Sequence, residues 1–274
     1  MIRARSRSRY VASAAVFAAL YAVLGLVPVS AYVGISSFLS FREILAPLAG
    51  LIFGPLTGGL AMIIGGILDI GLRGTTNFDF LDFVPDLVAA VTAGLCFTGR
   101  RKLALVLPIG FTVVYTLDPL SADFVSVGGV PVPFAWMHLL SFAALGVVLV
   151  LEGSGRLRRM STLFISVVVF ASTMAAHMAG NVLYENIYVR VNHVFSAQAL
   201  QANWVLIFSL YPVERVFFTV AGIVVALPVL RALERRQGGT TDGGLSPRPS
   251  GACLPARRGR RLRASLRRLP WLSP

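Results

Sequence analysis

Eight apolar stretches, parted by short polar joints whose charges alternate in sign, fill residues 10 to 231. A helix of about 20 apolar residues spans the ~30 Å hydrocarbon core of a bilayer, and in lipid the backbone must satisfy its own hydrogen bonds. The pattern therefore predicts an all-α integral membrane bundle of about eight transmembrane spans, at 10–28, 43–54, 56–72, 84–98, 103–118, 132–151, 161–183 and 204–231. The joints set the direction of each span. Arg3, Arg5, Arg7 and Arg9 precede the first; Arg100, Arg101 and Lys102 follow the fourth; Arg156, Arg158 and Arg159 follow the sixth; Arg231, Arg235 and Arg236 close the last. Asp79, Asp82, Asp118, Asp123 and Glu185 lie in the alternate joints. Cationic joints stay in the cytoplasm. Eight spans put every strongly basic joint on one side, which predicts a multi-pass protein of the cell membrane with both termini cytoplasmic.

Composition agrees. The chain is 56% hydrophobic and only 14% charged, with a mean hydropathy of +0.76, whereas a soluble domain carries roughly 25% charged residues. The net charge of +13 does not point to nucleic acid. Ten of the arginines lie beyond residue 234, and the others sit at joints where the inside-positive rule and anionic lipid headgroups account for them. Cys96 and Cys253 cannot build a disulfide framework. Three regions follow: a basic cytoplasmic arm at 1–9, a helical membrane domain at 10–236, and an Arg-rich cytoplasmic tail at 237–274. The tail has too few apolar residues to pack and is expected to be disordered. Anionic lipid is the expected partner of the tail and the basic joints.

Two joints stand apart. Residues 29–41 are uncharged and semi-apolar, as expected of a lid folded over the bundle rather than a solvent loop. Residues 184–203 are the longest joint, which suits either a functional loop or a short surface helix. Spans two and three meet at Gly54-Pro55. At ~1.5 Å per residue the second is too short to cross alone. Short helices of this kind occur where a cavity reaches toward the midplane. A faint repeat is also present. Glu43, Asp86 and Glu214 each open a span that carries Ala-Gly seven or eight residues on: Ala49-Gly50, Ala93-Gly94 and Ala221-Gly222. Dipole and packing preferences give each of these elements a local cause as well.

Ionisable residues within spans are costly and are functional candidates by default. Asp69, Asp86, Glu214, His138 and His177 qualify. The sharpest constellation is His177, Asn181, Tyr184 and Glu185, at helical spacing near the end of the seventh span; wetting of a helix end is the plainer reading. Tyr32 and Phe38 of the 29–41 joint can supply an apolar cover. Asp86 and Trp136 are weaker candidates, since helix capping and interfacial anchoring explain them too. These eight residues are the expected substrate-binding set. No His-x-x-x-His, phosphate-loop or Gly-x-Ser-x-Gly element occurs in the sequence, so neither metal, cofactor nor enzymatic chemistry is expected. Ala14, Ala18 and Ala22, four residues apart, make a smooth stripe suited either to a partner helix or to packing within the chain.

Several of these features together resemble the substrate-specific (S) component of energy-coupling factor (ECF) vitamin transporters. They are the basic arm before an Ala-x-x-x-Ala first helix, the semi-apolar loop, Leu51-Ile52-Phe53-Gly54-Pro55, Gly58-Gly59, Gly65-Gly66, Asp69, Pro85-Asp86-Leu87 with Ala93-Gly94, and Tyr211-Pro212-Val213-Glu214-Arg215 through Pro228 to Arg231. The resemblance covers about half of the chain. It implies a six-span core with two extra spans here. It also implies capture of a vitamin or related micronutrient from outside, and association with a transmembrane coupling subunit and two ATPase subunits. On this resemblance Ala14, Ala18 and Ala22 would be the face on which the coupling subunit docks, and the ligand would lie under the 29–41 loop. A proton-coupled secondary transporter using Asp69 or His138, or an intramembrane enzyme using His138 and His177, are the alternatives.

Overall fold

The computed structural model describes residues 2–35 and 37–239. The predicted tail lies outside the described residues from Thr240 on, as does Cys253. Seven helices are present among the described residues: α1 (Ile2–Leu24), α2 (Leu45–Arg73), α3 (Val84–Phe97), α4 (Arg101–Leu117), α5 (Trp136–Gly153), α6 (Thr162–Glu185) and α7 (Ala197–Gly239). Two antiparallel hairpins join them, β1 (Pro28–Ala31) with β2 (Phe38–Ser40), and β3 (Phe124–Val127) with β4 (Val130–Pro133). The protein is thus a helical membrane protein. Among the described residues four helical segments are long and apolar enough to cross a bilayer: Phe41–Arg73, Trp136–Gly153, Thr162–Val191 and Ala197–Arg235; Tyr10–Leu24 and Val84–Phe97 are shorter apolar helices. Large apolar side chains such as Leu56, Val150 and Val213 are exposed around the bundle, as an apolar solvent requires.

Helix α2 is one element only by its hydrogen bonds. Gly54 has φ 75° and ψ 177°, a backbone state that L side chains rarely adopt, and Pro55 cannot donate to the turn before it. The chain folds back there. A Cβ on Gly58 would stand 2.7 Å from the carbonyl oxygen of Ala49, whereas residues nine apart in a continuous helix lie about 13 Å apart. Residues 45–53 and 55–73 therefore form two antiparallel arms. Counting these arms separately, eight helical segments alternate in direction. The hydroxyl of Tyr10 donates to the carbonyl of Phe53, and Arg159 reaches the carbonyl of Phe97 at 3.2 Å. Arg101 and Arg159 share Glu152 at 2.7 Å each, and Arg231 meets Thr162 at 3.0 Å. These contacts gather the basic joints at one end of the bundle. Both hairpins lie at the other.

Several predicted span boundaries moved, the last span among them, since α7 opens at Ala197 rather than at residue 204; two of the shifts have plain local causes. Residues 132–135 extend the sixth apolar stretch in sequence but belong to β4 and the turn after it. Pro131 and Pro133 hold their predecessors extended. The predicted first span reached residue 28, yet α1 stops at Leu24 and Pro28 opens β1. The predicted basic arm is not separate in backbone conformation, because α1 already runs from Ile2. The 184–203 joint continues α6 as a wider helical turn over Asn186–Val191 before α7 begins.

Helix α6 is the hub. It packs against α3, α4, α5 and α7, and Ser161 caps its first turn by accepting from the Phe164 amide at 3.2 Å. At the basic end α2 and α3 touch backbone to backbone, since a Cβ on Gly50 would overlap the carbonyl of Ala90. The alanine stripe of α1 faces the interior of the chain. Ala14, Ala18 and Ala22 are buried at 8%, 1% and 2% exposure. They pack inside the chain, with the Ala18 carbonyl 2.8 Å from where a Gly65 Cβ would be. The docking role is corrected accordingly: the small side chains let α1 close on residues 55–73. Ala12, Ala15 and Ala19 lie on the exposed side. Ala18→Trp should abolish the monodisperse folded peak in size-exclusion chromatography, since overpacking costs about 1–3 kcal/mol even where the backbone can shift. Ala15→Trp should leave that peak unchanged.

Candidate functional site

At the hairpin end the bundle holds a cleft whose empty space, open mouth included, is ≈ 730 Å³. Its roof is the β1–β2 hairpin, contributing Ala31, Tyr32, Val33 and Leu39. Its walls are Arg42 and Glu43 before α2, Phe78, Asp82, Pro85 and Asp86 at the start of α3, and two facing helices. Helix α6 supplies Ala176, His177, Gly180, Asn181 and Tyr184, and α7 supplies Ile207, Leu210, Glu214 and Arg215.

The hairpin is fastened along its length. Ser30 donates to Glu214, the Tyr184 hydroxyl donates to the Val33 carbonyl at 2.8 Å, and Ser37 donates to Asn77. Asn203 in turn holds the Tyr184 hydroxyl at 3.0 Å. Tyr32 stands edge-on to Phe78, ring centres 6.0 Å apart. Its phenol is pushed well above the ordinary tyrosine range by burial, and then by the neighbouring Glu43 carboxylate.

Beneath the roof runs a buried charge network. Arg42 pairs with Asp69 and lies 3.7 Å from Asp86, with its guanidinium 5.5 Å from the centre of the Tyr21 ring. Tyr21 donates to Asp86. Arg73 bridges Asp69 and Asp82 at 2.5 and 3.3 Å. On the opposite wall Arg215 pairs with Glu43 at 2.9 Å and covers Phe218 at 5.4 Å. Some polar atoms remain unmatched: Asn181 Nδ2, Arg215 Nε and Arg42 Nε are buried without a hydrogen-bond partner. Such groups cost about 1–3 kcal/mol each when left unmade, and all three residues line the cleft.

Behind the α6 wall lies a second polar feature. Nε2 of His138 is 3.0 Å from Nδ1 of His177, the two rings are nearly parallel with centres 5.1 Å apart, and Tyr211 stacks on His177 at 4.9 Å. Nδ1 of His138 has no partner. Among the described residues no group of three or more His, Cys, Asp or Glu is placed to hold a metal ion.

Of the expected substrate-binding set, Tyr32, Asp86, His177, Asn181 and Tyr184 line one cleft. Phe38, Trp136 and Glu185 do not. Successive strand residues face opposite ways, so Leu39 takes the inward position beside Phe38. Trp136 is 39% exposed, whereas His138, two residues on, is fully buried. Glu185 is buried elsewhere, accepting from Ser121 at 2.6 Å. At 100° per residue Asn181 lies about 40° and Tyr184 about 20° from His177, but Glu185 lies about 80° away. Arg42, Asp82 and Arg215 were not in that set, although intramembrane ionisable residues carry a general signal of function. No family model matches the chain, and neither a curated protein nor a solved structure matches it.

Asp69 sits between two arginines at zero exposure. Asp69→Asn should destabilise the protein by about 3–5 kcal/mol, because it leaves buried cations uncompensated. The measurement is thermal unfolding in detergent, with Glu152→Gln at the basic end as the milder control.

Proposed function

We propose that this protein is a membrane-embedded substrate-capture subunit of the ECF type, binding a vitamin-like micronutrient in the roofed cleft and delivering it inward with separate coupling and ATPase subunits. The observation that carries this reading is the cleft itself. It is closed by a hairpin anchored through side chains, walled by facing helices, and left with buried unmatched donors that a ligand would satisfy. The resemblance in sequence supports it, as does the hairpin at Gly54-Pro55. On this reading the eight alternating segments are eight crossings of the cell membrane, with α2 supplying two. The basic end and both termini are then cytoplasmic, in contact with anionic lipid, and the cleft opens outward.

Topology can be tested with engineered cysteines in a chain whose Cys96 and Cys253 are replaced by serine. A cysteine at Gly128 should react with an impermeant maleimide added to intact cells, and one at Ser154 only after lysis. Labelling of Ser154→Cys in intact cells overturns the orientation. For capture, the protein purified from its native membrane should carry a small molecule detectable by native mass spectrometry and bring coupling and ATPase subunits with it. Asn181→Ala should lower ligand occupancy or affinity about tenfold, matching the cost of one buried hydrogen bond.

The His138–His177 pair favours one second reading, a proton-coupled transporter working without ATPase subunits. On that reading His138→Phe stops accumulation into proteoliposomes driven by a pH gradient. On the capture reading no such accumulation occurs in the first place.

A further inference from the structure

The wall of the cleft has a charge imbalance. Four carboxylates, Glu43, Asp82, Asp86 and Glu214, face it against two guanidinium groups, Arg42 and Arg215. Including the pair buried behind them, Asp69 and Arg73, acids still exceed bases by two. Both wall arginines are held in ion pairs, Arg42 with Asp69 and Asp86, and Arg215 with Glu43, although the Nε of each keeps no hydrogen-bond partner. An incoming anion that reached those two donors would still face the four wall carboxylates. Glu214 stands differently, because its described partner is the neutral hydroxyl of Ser30. Glu214 is half-buried at the cleft wall, where a carboxylate without a cationic partner is open to an incoming cation.

Acidic residues alone do not define a ligand, but two further observations do. Asn181 is only 5% exposed and its Nδ2 has no partner, so the ligand presents an acceptor to α6. Tyr32, Phe78 and Tyr184 supply ring faces and edges to the same space, a surface suited to a flat ring and favourable to positive charge. The acids are not gathered as a metal site among the described residues, which leaves an organic cation. We propose that the cleft takes a small organic cation built on a flat ring, its charge met by Glu214 and its acceptor by Asn181. This inference rests on the reading of the cleft as the capture site.

The test uses the full chain in lipid nanodiscs and three probes of one shape: benzamidine, benzamide and benzoate, which are cationic, neutral and anionic. Titration calorimetry should show benzamidine binding at least about tenfold tighter than benzamide, with benzoate weakest. Glu214→Gln, a change that keeps the side-chain shape, should remove that tenfold preference while benzamide affinity and the thermal unfolding midpoint stay as they were. Benzoate or benzamide binding as tightly as benzamidine overturns the cation assignment and leaves the capture reading standing. A preference for benzamidine that persists in Glu214→Gln overturns the role of Glu214. Absence of binding by all three, on protein that still unfolds cooperatively, overturns the cation assignment, while the capture reading falls only if the protein from its native membrane carries no small molecule.

Discussion

The hairpin end of the bundle depends on one buried guanidinium. Arg42 is 6% exposed at the mouth of an apolar helix pair, where a solitary charge would be severely unfavourable. It is held by Asp69 from the ascending arm of α2, approached by Asp86 from α3, and laid against the Tyr21 ring of α1. Three segments are thereby fixed to one side chain. The next residue extends the arrangement in the opposite sense, because Glu43 carries the charge that Arg215 of α7 requires. A short turn at Phe41–Ile44 thus ties the first half of the bundle to its last helix. A cleft remains where these groups meet.

The other end is built on the opposite principle. There glycine and alanine bring backbones into direct contact, Gly50 on Ala90 and Gly94 on the Gly54-Pro55 turn. Polar closure there comes from the surface pairs around Glu152, the Arg231–Thr162 bond and the Tyr10 hydroxyl on Phe53. In lipid, where helices gain little from hydrophobic association, close approach of this kind is what packing relies on. One end is sealed by small residues and the other is propped open by ion pairs. The asymmetry follows from where the chain places its glycines and its acids.

Much of this could be read from sequence, for definite reasons. Helix placement follows apolar length, and the fold-back at Gly54-Pro55 follows from a residue that tolerates positive φ next to one that cannot donate. The faint repeat of Glu43, Asp86 and Glu214 acquires a shared location, since all three reach the same cleft from the starts of descending segments and from within α7. What could not be read was the facing of side chains across segments distant in the chain. The alanine spacing of α1 is equally suited to a foreign helix and to the glycine-rich arm at Gly65, and only tertiary packing decides between them. Arg42 and Arg215 are unremarkable in a list of basic residues until their partners, 27 and 172 residues away, are seen. Glu185 was grouped with His177 by spacing, but an 80° offset is enough to turn it toward Ser121.

The roof and the cleft share their fastenings. Glu214 holds Ser30 of the hairpin and also lines the space below it; Tyr184 holds Val33 and does the same. A bound group that drew the Glu214 carboxylate inward would do so at the expense of Ser30, and one that engaged the Tyr184 hydroxyl would compete with Val33. The Tyr184 bond is neutral and contributes about 0.5–1.5 kcal/mol, and the Ser30 bond ends on a carboxylate and contributes about 1.5–3 kcal/mol, so the latch amounts to a few kcal/mol, a scale that differential ligand contacts can match. Roof and cleft wall therefore share the same two side chains. The ion pairs beneath, Arg42 with Asp69 and Arg215 with Glu43, involve no hairpin residue and hold the walls independently of the roof.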